Sequence, residues 1–163
     1  MKRILVVDDD GGTRDAYRLA LTGLDYTVEA VDGGPAGIAA ARRQTPDLIF
    51  LDLNMPGMDG VETLRALLIE DPSLRVWMQT AFVPQYMARL KQATAAGLHF
   101  EIVRKPLDFG QIRTVVTSLL DPRRPLQDRH RARTPTSEAK NRGQAKNRGQ
   151  TTVFVKLDSS VNS

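Results

Sequence analysis

Short apolar runs alternate with longer amphipathic segments over the first 120 residues of the chain. Residues 48–51 are apolar at every position, which is typical of a parallel strand covered on both faces. In residues 109–120 the apolar positions recur at helical spacing instead, and glycine or proline closes several segments. The predicted strands are residues 4–7, 27–31, 48–51, 75–79 and 100–103, and the predicted helices are residues 13–24, 35–43, 61–68, 84–96 and 109–120.

Strands and helices are thus predicted to alternate as five β/α pairs. This alternation predicts a doubly wound α/β sandwich around a parallel five-stranded sheet. Of the two common strand orders, 2-1-3-4-5 is the flavodoxin-like one, and it places the second strand at an edge. The end of the second strand also carries no residue that obviously acts together with those at the other four strand ends, which agrees with a place at the edge. We therefore predict a flavodoxin-like (βα)5 fold in the order 2-1-3-4-5.

Four of the five predicted strands end beside a polar residue that can contact a phosphoryl group. Because the carboxyl ends of parallel strands meet at one edge of a sheet, where such folds bind ligands, we expect these side chains to lie together. The residues are Asp8, Asp9 and Asp10 after the first strand, Asp52 after the third, Thr80 after the fourth and Lys105 after the fifth.

The aspartates predict a magnesium site. Three consecutive carboxylates repel one another, and burying them costs several kcal/mol unless a cation or hydrogen bonds compensate. Mg²⁺ prefers carboxylate, water and phosphate oxygens, so Asp8 and Asp9 with Asp52 from the neighbouring strand make a plausible open site. Taken alone, the triplet is more typical of an exposed turn and helix cap. Asp52 on the adjacent strand favours the metal interpretation.

Asp52 is also the candidate nucleophile. A carboxylate can attack phosphorus to give an acyl phosphate, whose charge must then be neutralised. Phosphoryl transfer needs mainly positioning and charge stabilisation, which the Lys105 ammonium and the Thr80 hydroxyl can supply beside a metal ion. Each residue also has an ordinary explanation: Lys105 as an exposed cation at a strand end, Thr80 as a helix cap and Asp52 as a turn former. Their combination favours the chemistry.

The residues around these positions resemble the bacterial response-regulator receiver domain. The likeness covers about residues 2–120 and rests on ILVVDDD at 4–10, DLIFLDLNMPGMDG at 47–60, Thr80-Ala81 and Lys105-Pro106. It implies a phosphoacceptor of two-component signalling, in which a histidine kinase or phosphotransfer protein is the phosphodonor. Such a protein phosphorylates and dephosphorylates itself rather than turning over a substrate, and it switches a surface that binds a downstream protein.

The resemblance also implies a role for each site residue. Asp52 accepts the phosphoryl group, and Thr80 and Lys105 contact it. Asp8 and Asp9 form the acidic pair, with Asp9 directly on Mg²⁺, while the Asn54 backbone carbonyl is a further metal ligand. Lys105-Pro106 is expected to be a cis peptide.

Three positions bear on how the resemblance applies to this chain. In that family the residues two after the acceptor and two after the threonine govern the approach of water, and here they are Asn54 and Phe82. Phe82 offers no hydrogen bond to a water molecule, so we expect slow loss of the phosphoryl group. The position three before Lys105 is often an aromatic switch residue, and here it is Ile102.

Charge divides the chain near Pro122. Residues 1–121 carry a net charge of −3 and residues 122–163 carry +7, within an overall +4. We predict a receiver domain at 1–121 and a basic, disordered tail at 122–163, in which AKNRGQ occurs twice in succession. The tail favours one alternative function, a nucleic-acid-binding adaptor that the receiver regulates, but it lacks the aromatics of a stacking surface. Residues 151–157 alternate like a strand of the kind that can add to a partner's sheet edge.

The remaining features restrict location and class. The chain has no cysteine, which excludes disulfides and thiolate metal sites and fits a reducing compartment. Four apolar residues precede the aspartates, too few for a secretory signal or membrane span. We expect a cytoplasmic protein without membrane insertion. A carboxylate-nucleophile phosphatase is a third alternative, but that class needs a second acid where Asn54 stands.

Overall fold

A computed structural model describes residues 1–81, 84–120 and 154–155 of the chain. Strands and helices alternate through these residues, and a last short strand lies near the C-terminal end. The elements are β1 (Lys2–Val7), α1 (Gly11–Leu21), β2 (Tyr26–Val31), α2 (Gly34–Arg43), β3 (Leu48–Asp52), α3 (Gly60–Glu70), β4 (Val76–Thr80), α4 (Pro84–Ala95), β5 (Glu101–Arg104), α5 (Phe109–Leu120) and β6 (Phe154–Val155).

The strands form one sheet in the order β2-β1-β3-β4-β5-β6. The first five strands are parallel, so the predicted order 2-1-3-4-5 and the flavodoxin-like fold are confirmed. In the register, Val7 of β1 pairs with Val31 and with Leu51, the residue before Asp52. The carboxyl ends of β1 and β3 therefore lie at nearly the same level of the sheet.

Two hydrophobic clusters cover the two faces of the sheet. Along β1, Leu5 and Val7 belong to the cluster under α2, α3 and α4, whereas Ile4 and Val6 belong to the cluster under α1 and α5. Successive side chains of a strand point to opposite faces, so both sets must be apolar. This explains why the strand sequences are continuous apolar runs rather than alternating ones.

The first helix differs from its predicted bounds. It begins at Gly11 instead of residue 13, because the Asp10 side chain accepts a hydrogen bond from the Thr13 backbone N–H at 2.8 Å and caps the first turn. It ends at Leu21 instead of residue 24, and Gly23 follows with a φ of 78°. A positive φ is readily adopted by glycine and directs the chain into β2.

The last strand was not predicted as part of this sheet. Phe154 and Val155 pair antiparallel with β5, with Val103 opposite Phe154 and Ile102 opposite Val155. They fall within the segment 151–157 that alternates in sequence. Apart from Phe154 and Val155, the tail that is predicted to be disordered lies outside the described residues, and so does the repeat within it. Among the helices that the structure describes, none is long and apolar enough to cross a membrane.

Candidate functional site

The predicted site residues lie at the carboxyl edge of the sheet. Asp52 ends β3 and Thr80 ends β4, while Asp8 follows β1 and Lys105 follows β5. Two backbone hydrogen bonds join the neighbouring strand ends: Lys105 N–H donates to the Thr80 carbonyl at 2.8 Å, and Leu53 N–H donates to the Gln79 carbonyl at 2.9 Å. The parallel register thus brings the ends of four strands together.

Lys105 connects two buried carboxylates. Its Nζ lies 2.7 Å from Oδ2 of Asp8 and 2.6 Å from Oδ1 of Asp52. Asp8 is completely buried and Asp52 is 6% exposed. A buried carboxylate without a cationic or hydrogen-bonding partner is strongly disfavoured, so this ammonium offsets a large desolvation cost at both acids.

Burial and pairing shift the protonation equilibria of this pair. Desolvation raises the pKa of Asp52 and the neighbouring Asp8 charge raises it further, against the opposing effect of Lys105. Desolvation lowers the pKa of Lys105, but its hydrogen bonds to Asp52 and Asp8 raise that pKa more, so the net shift is upward. Lys105 is therefore held as an ammonium.

Three carboxylates form a group suited to a hard cation. One oxygen from each of Asp8, Asp9 and Asp52 lies within 4.8 Å of the other two, and Asp9 is exposed. All these donors are oxygens, with two acids buried and one facing solvent, so a cation can retain water or phosphate ligands. This donor set fits Mg²⁺, which prefers a few carboxylates together with such ligands.

Asn54 lies beside the Asp52 carboxylate. Its backbone N–H donates to Oδ2 of Asp52 at 3.1 Å, while Oδ1 of Asp52 accepts from Lys105. Both oxygens of Asp52 are therefore held in place. Hydrogen bonding thus fixes the orientation of the carboxylate plane.

Helix α4 contributes a residue that the sequence did not reveal. The Tyr86 hydroxyl donates to Oδ1 of Asn54 at 2.8 Å, and one turn further along α4 Arg89 pairs with Asp59. Two polar contacts thus join α4 to the segment that follows Asp52. Tyr86 and Arg89 are spaced to share a helix face, but spacing alone does not show which loop that face meets.

A second unpredicted pair lies between helix α1 and the sheet. Tyr17 of α1 donates through its hydroxyl to Oε1 of Gln79 at 3.0 Å, and each residue is 1% exposed. Desolvation raises the pKa of Tyr17 well above its ordinary value, and Asp8 adds to the shift. Within the part of the chain that the structure describes, Nε2 of Gln79 is buried without a hydrogen-bond partner. Gln79 precedes Thr80 and pairs with Asp52 in the sheet register, so this polar contact lies close to the site.

The remaining predicted positions are located as follows. Lys105-Pro106 is a cis peptide, as the resemblance implies. Ile102 is buried and belongs to the cluster under α2, α3 and α4. Phe100 is half-buried and packs against the same cluster. Phe82 lies outside the described residues.

Comparison with known proteins identifies relatives over the same part of the chain. The family model of the response regulator receiver domain matches residues 4–117. Sporulation initiation phosphotransferase F of Bacillus subtilis is 31% identical over 119 residues, which are 73% of this chain and 94% of that protein. The probable transcriptional regulatory protein TcrX of Mycobacterium tuberculosis is 33% identical over 117 residues, 72% of this chain. The match spans 49% of TcrX, about half of its length.

Solved structures show the same fold. The chemotaxis response regulator CheY4 of Vibrio cholerae has a TM-score of 0.63 at 25% identity, over 74% of this chain and 99% of that one. The response regulator TrrA of Thermotoga maritima, solved in complex with Mg²⁺ and BeF, has a TM-score of 0.61 at 27% identity, over 74% of this chain and 100% of that one. This chain belongs to the response-regulator receiver family of two-component signalling.

Proposed function

We propose that Asp52 is the phosphoacceptor and that a histidine kinase or phosphotransfer protein is its phosphodonor. The observation that carries the proposal is the position of the Asp52 carboxylate, 2.6 Å from the Lys105 ammonium and within the group formed with Asp8 and Asp9. An Asp52 oxygen attacks phosphorus, a new O–P bond forms, and the N–P bond of the donor phosphohistidine breaks. The electron pair of the N–P bond stays on the ring nitrogen, and the imidazole departs neutral with the proton that its other ring nitrogen already carried.

The residues around Asp52 have distinct parts in this step. The Asn54 N–H and Lys105 orient the carboxylate, and Lys105 then stabilises the charge of the transferred group, with Thr80 as a further contact. Asp8, Asp9, Asp52 and the Asn54 carbonyl would hold Mg²⁺. Bound there, Mg²⁺ neutralises phosphoryl charge.

The proposed product is a switch rather than a released metabolite. The acyl phosphate shifts a two-state equilibrium of the protein. The favoured state presents a surface of α4, β5 and α5 that binds one protein partner. The receiver occupies residues 1–121, with residues 122–163 as an appended tail. The proposed location is the cytoplasm, in keeping with a sequence that has no cysteine.

Phosphorylation of the purified full-length chain tests this assignment. We expect acetyl phosphate with Mg²⁺ to label the protein on a phosphate-affinity gel, and Asp52→Asn or EDTA to abolish labelling. Asp15→Asn is the matched control. Asp15 is an exposed aspartate of α1, so its substitution should leave labelling unchanged. Continued labelling of Asp52→Asn, or labelling that EDTA does not affect, would refute the proposal.

A further inference from the structure

The outer side of β5 is a strand edge that another segment of the chain pairs with. One side of β5 is paired with β4, and the other side receives β6 in antiparallel orientation. Unpaired N–H and C=O groups along a strand edge favour the addition of a further strand. The described strand β6 consists of Phe154 and Val155, so the contact joins residues about fifty positions apart in sequence.

The sequence around β6 suits this pairing independently of the structure. Residues 151–157 read TTVFVKL, a run of β-branched and aromatic residues without glycine or proline. The preceding repeats are rich in Gly, Asn, Gln and charged residues, which are depleted in strands.

We propose that the outer edge of β5 is a strand-docking surface whose occupant is the segment around Phe154 and Val155 of the same chain. Residues 121–153 separate this segment from α5, and at about 3.3 Å per residue they can easily reach the edge. Connection through one chain gives the segment a high effective concentration at β5, which favours docking in cis.

Docking has two consequences for the molecule. It closes the sheet edge, so a protein that adds a strand to β5 must first displace the segment. It also orders the strand that leads directly into Lys105. Neither consequence depends on phosphorylation of Asp52.

Hydrogen exchange of backbone amides in the full-length chain tests the docking. We expect the β5 amides that face away from β4 to be protected in the native chain and to exchange at least about tenfold faster in Phe154→Pro/Val155→Pro. Gln144→Pro is the matched control, since it places a proline in the tail repeat and should leave these amides protected. Amides of β3 should remain protected in all variants, showing that the fold is intact. Equal exchange in the native chain and the double variant would overturn the proposal.

The concentration dependence of this protection tests the occupant. Protection should be the same in dilute and concentrated samples of a monomeric protein. Protection that rises with concentration together with dimer formation would overturn docking in cis and assign the edge to a second copy.

Discussion

At the scale of single residues, one ammonium holds together the ends of two strands. Lys105 contacts Asp8 and Asp52, which are separated from it by long stretches of chain but lie side by side in the sheet. Removing one partner from a buried ion pair leaves an uncompensated charge. In the proposed reaction, a metal ion held by Asp8 and Asp52 would compensate their charge, and the Lys105 ammonium would be available to phosphoryl oxygens.

The pair Tyr17 and Gln79 yields a prediction about stability. Tyr17→Phe removes the partner of Gln79 Oε1, and Gln79 Nε2 already lacks a partner among the described residues. We therefore expect a loss of about 1–3 kcal/mol in the free energy of unfolding. Tyr17→Phe/Gln79→Leu replaces both polar groups with apolar ones and should recover most of that loss. Urea unfolding of the two variants provides the measurement. A double variant that is less stable than Tyr17→Phe would contradict this account.

Tyr86 yields a prediction about the lifetime of the phosphoryl group, which depends on the proposed acceptor Asp52. The Tyr86 hydroxyl occupies Oδ1 of Asn54, the acceptor atom that could otherwise orient an attacking water. We expect Tyr86→Phe to accelerate dephosphorylation several-fold, since one hydrogen bond corresponds to about 1 kcal/mol of barrier. The fraction phosphorylated after removal of the donor, followed on phosphate-affinity gels, measures the rate.

The control is to make Tyr86→Phe in a protein that lacks the Asn54 side chain. In an Asn54→Ala background, Tyr86→Phe should leave the rate unchanged, because the hydroxyl then has no side-chain amide to hold. An equal acceleration in both backgrounds would show that Tyr86 acts through something other than Asn54. Absence of labelling in every variant would instead refute the proposed acceptor.

At the scale of elements, Asp59 connects two helices. Its side chain accepts the Glu62 N–H at 3.0 Å, and the Glu62 side chain accepts the Asp59 N–H at 3.0 Å, which forms a capping box at the start of α3. The same carboxylate pairs with Arg89 of α4. The position of α4 beside the site is therefore linked to the first turn of α3.

Substitutions of Asp59 should separate the cap from the charge. We expect Asp59→Ala to reduce the free energy of unfolding by about 0.5–2 kcal/mol, because the Glu62 N–H loses its acceptor. Asp59→Asn keeps an acceptor and loses only the ion pair with the partly exposed Arg89, so it should cost less. Urea unfolding at neutral pH compares them. An equal loss in both variants would mean that the side-chain cap contributes nothing.

The pH dependence of the Asp59 contribution follows from its pKa. Burial alone raises the pKa of Asp59, but the Glu62 N–H and Arg89 lower it more, so the folded-state pKa lies below its ordinary value. A depressed folded pKa means stabilisation that is present above the unfolded value of about 3.9 and lost as the pH falls through the folded pKa. The stability difference between the native chain and Asp59→Asn should therefore shrink as the pH falls from above the unfolded pKa to below the lower folded pKa.

At the scale of the whole molecule, the residues of both hydrophobic clusters come from the part of the chain that runs from β1 to α5. The strand β6 adds edge pairing to β5. The buried core described around the site is built from residues 4–120.

Removal of residues 122–163 should accordingly leave a folded receiver. We expect the melting temperature to fall by no more than a few degrees, and acetyl phosphate with Mg²⁺ to label Asp52 as in the full chain. Circular dichroism and phosphate-affinity gels provide the two measurements. A truncated chain that melts far lower would show that the tail belongs to the folded core, and the boundary near residue 121 would then be wrong.

Local patterns in the sequence sufficed for the architecture. The sequence predicted the strands and helices, their order and the polar residues at the strand ends. It could do so because burial of one or two faces sets a characteristic spacing of apolar residues along each strand and helix. The likeness of the segments around Asp52 and Lys105 to a known family added the expected roles. Helix ends were less accurate: the capping contact of Asp10 started α1 two residues earlier than predicted.

The contacts that define the site and its surroundings were decided by the tertiary structure. The Lys105 bridge, the Tyr86 contact with Asn54 and the Tyr17 contact with Gln79 each join residues from different elements. The pairing of Phe154 and Val155 with β5 is of the same kind. Such contacts depend on sheet register and on how each helix is rotated against the sheet. The sequence by itself determined which side chains were available at the strand ends, and packing decided which of them meet.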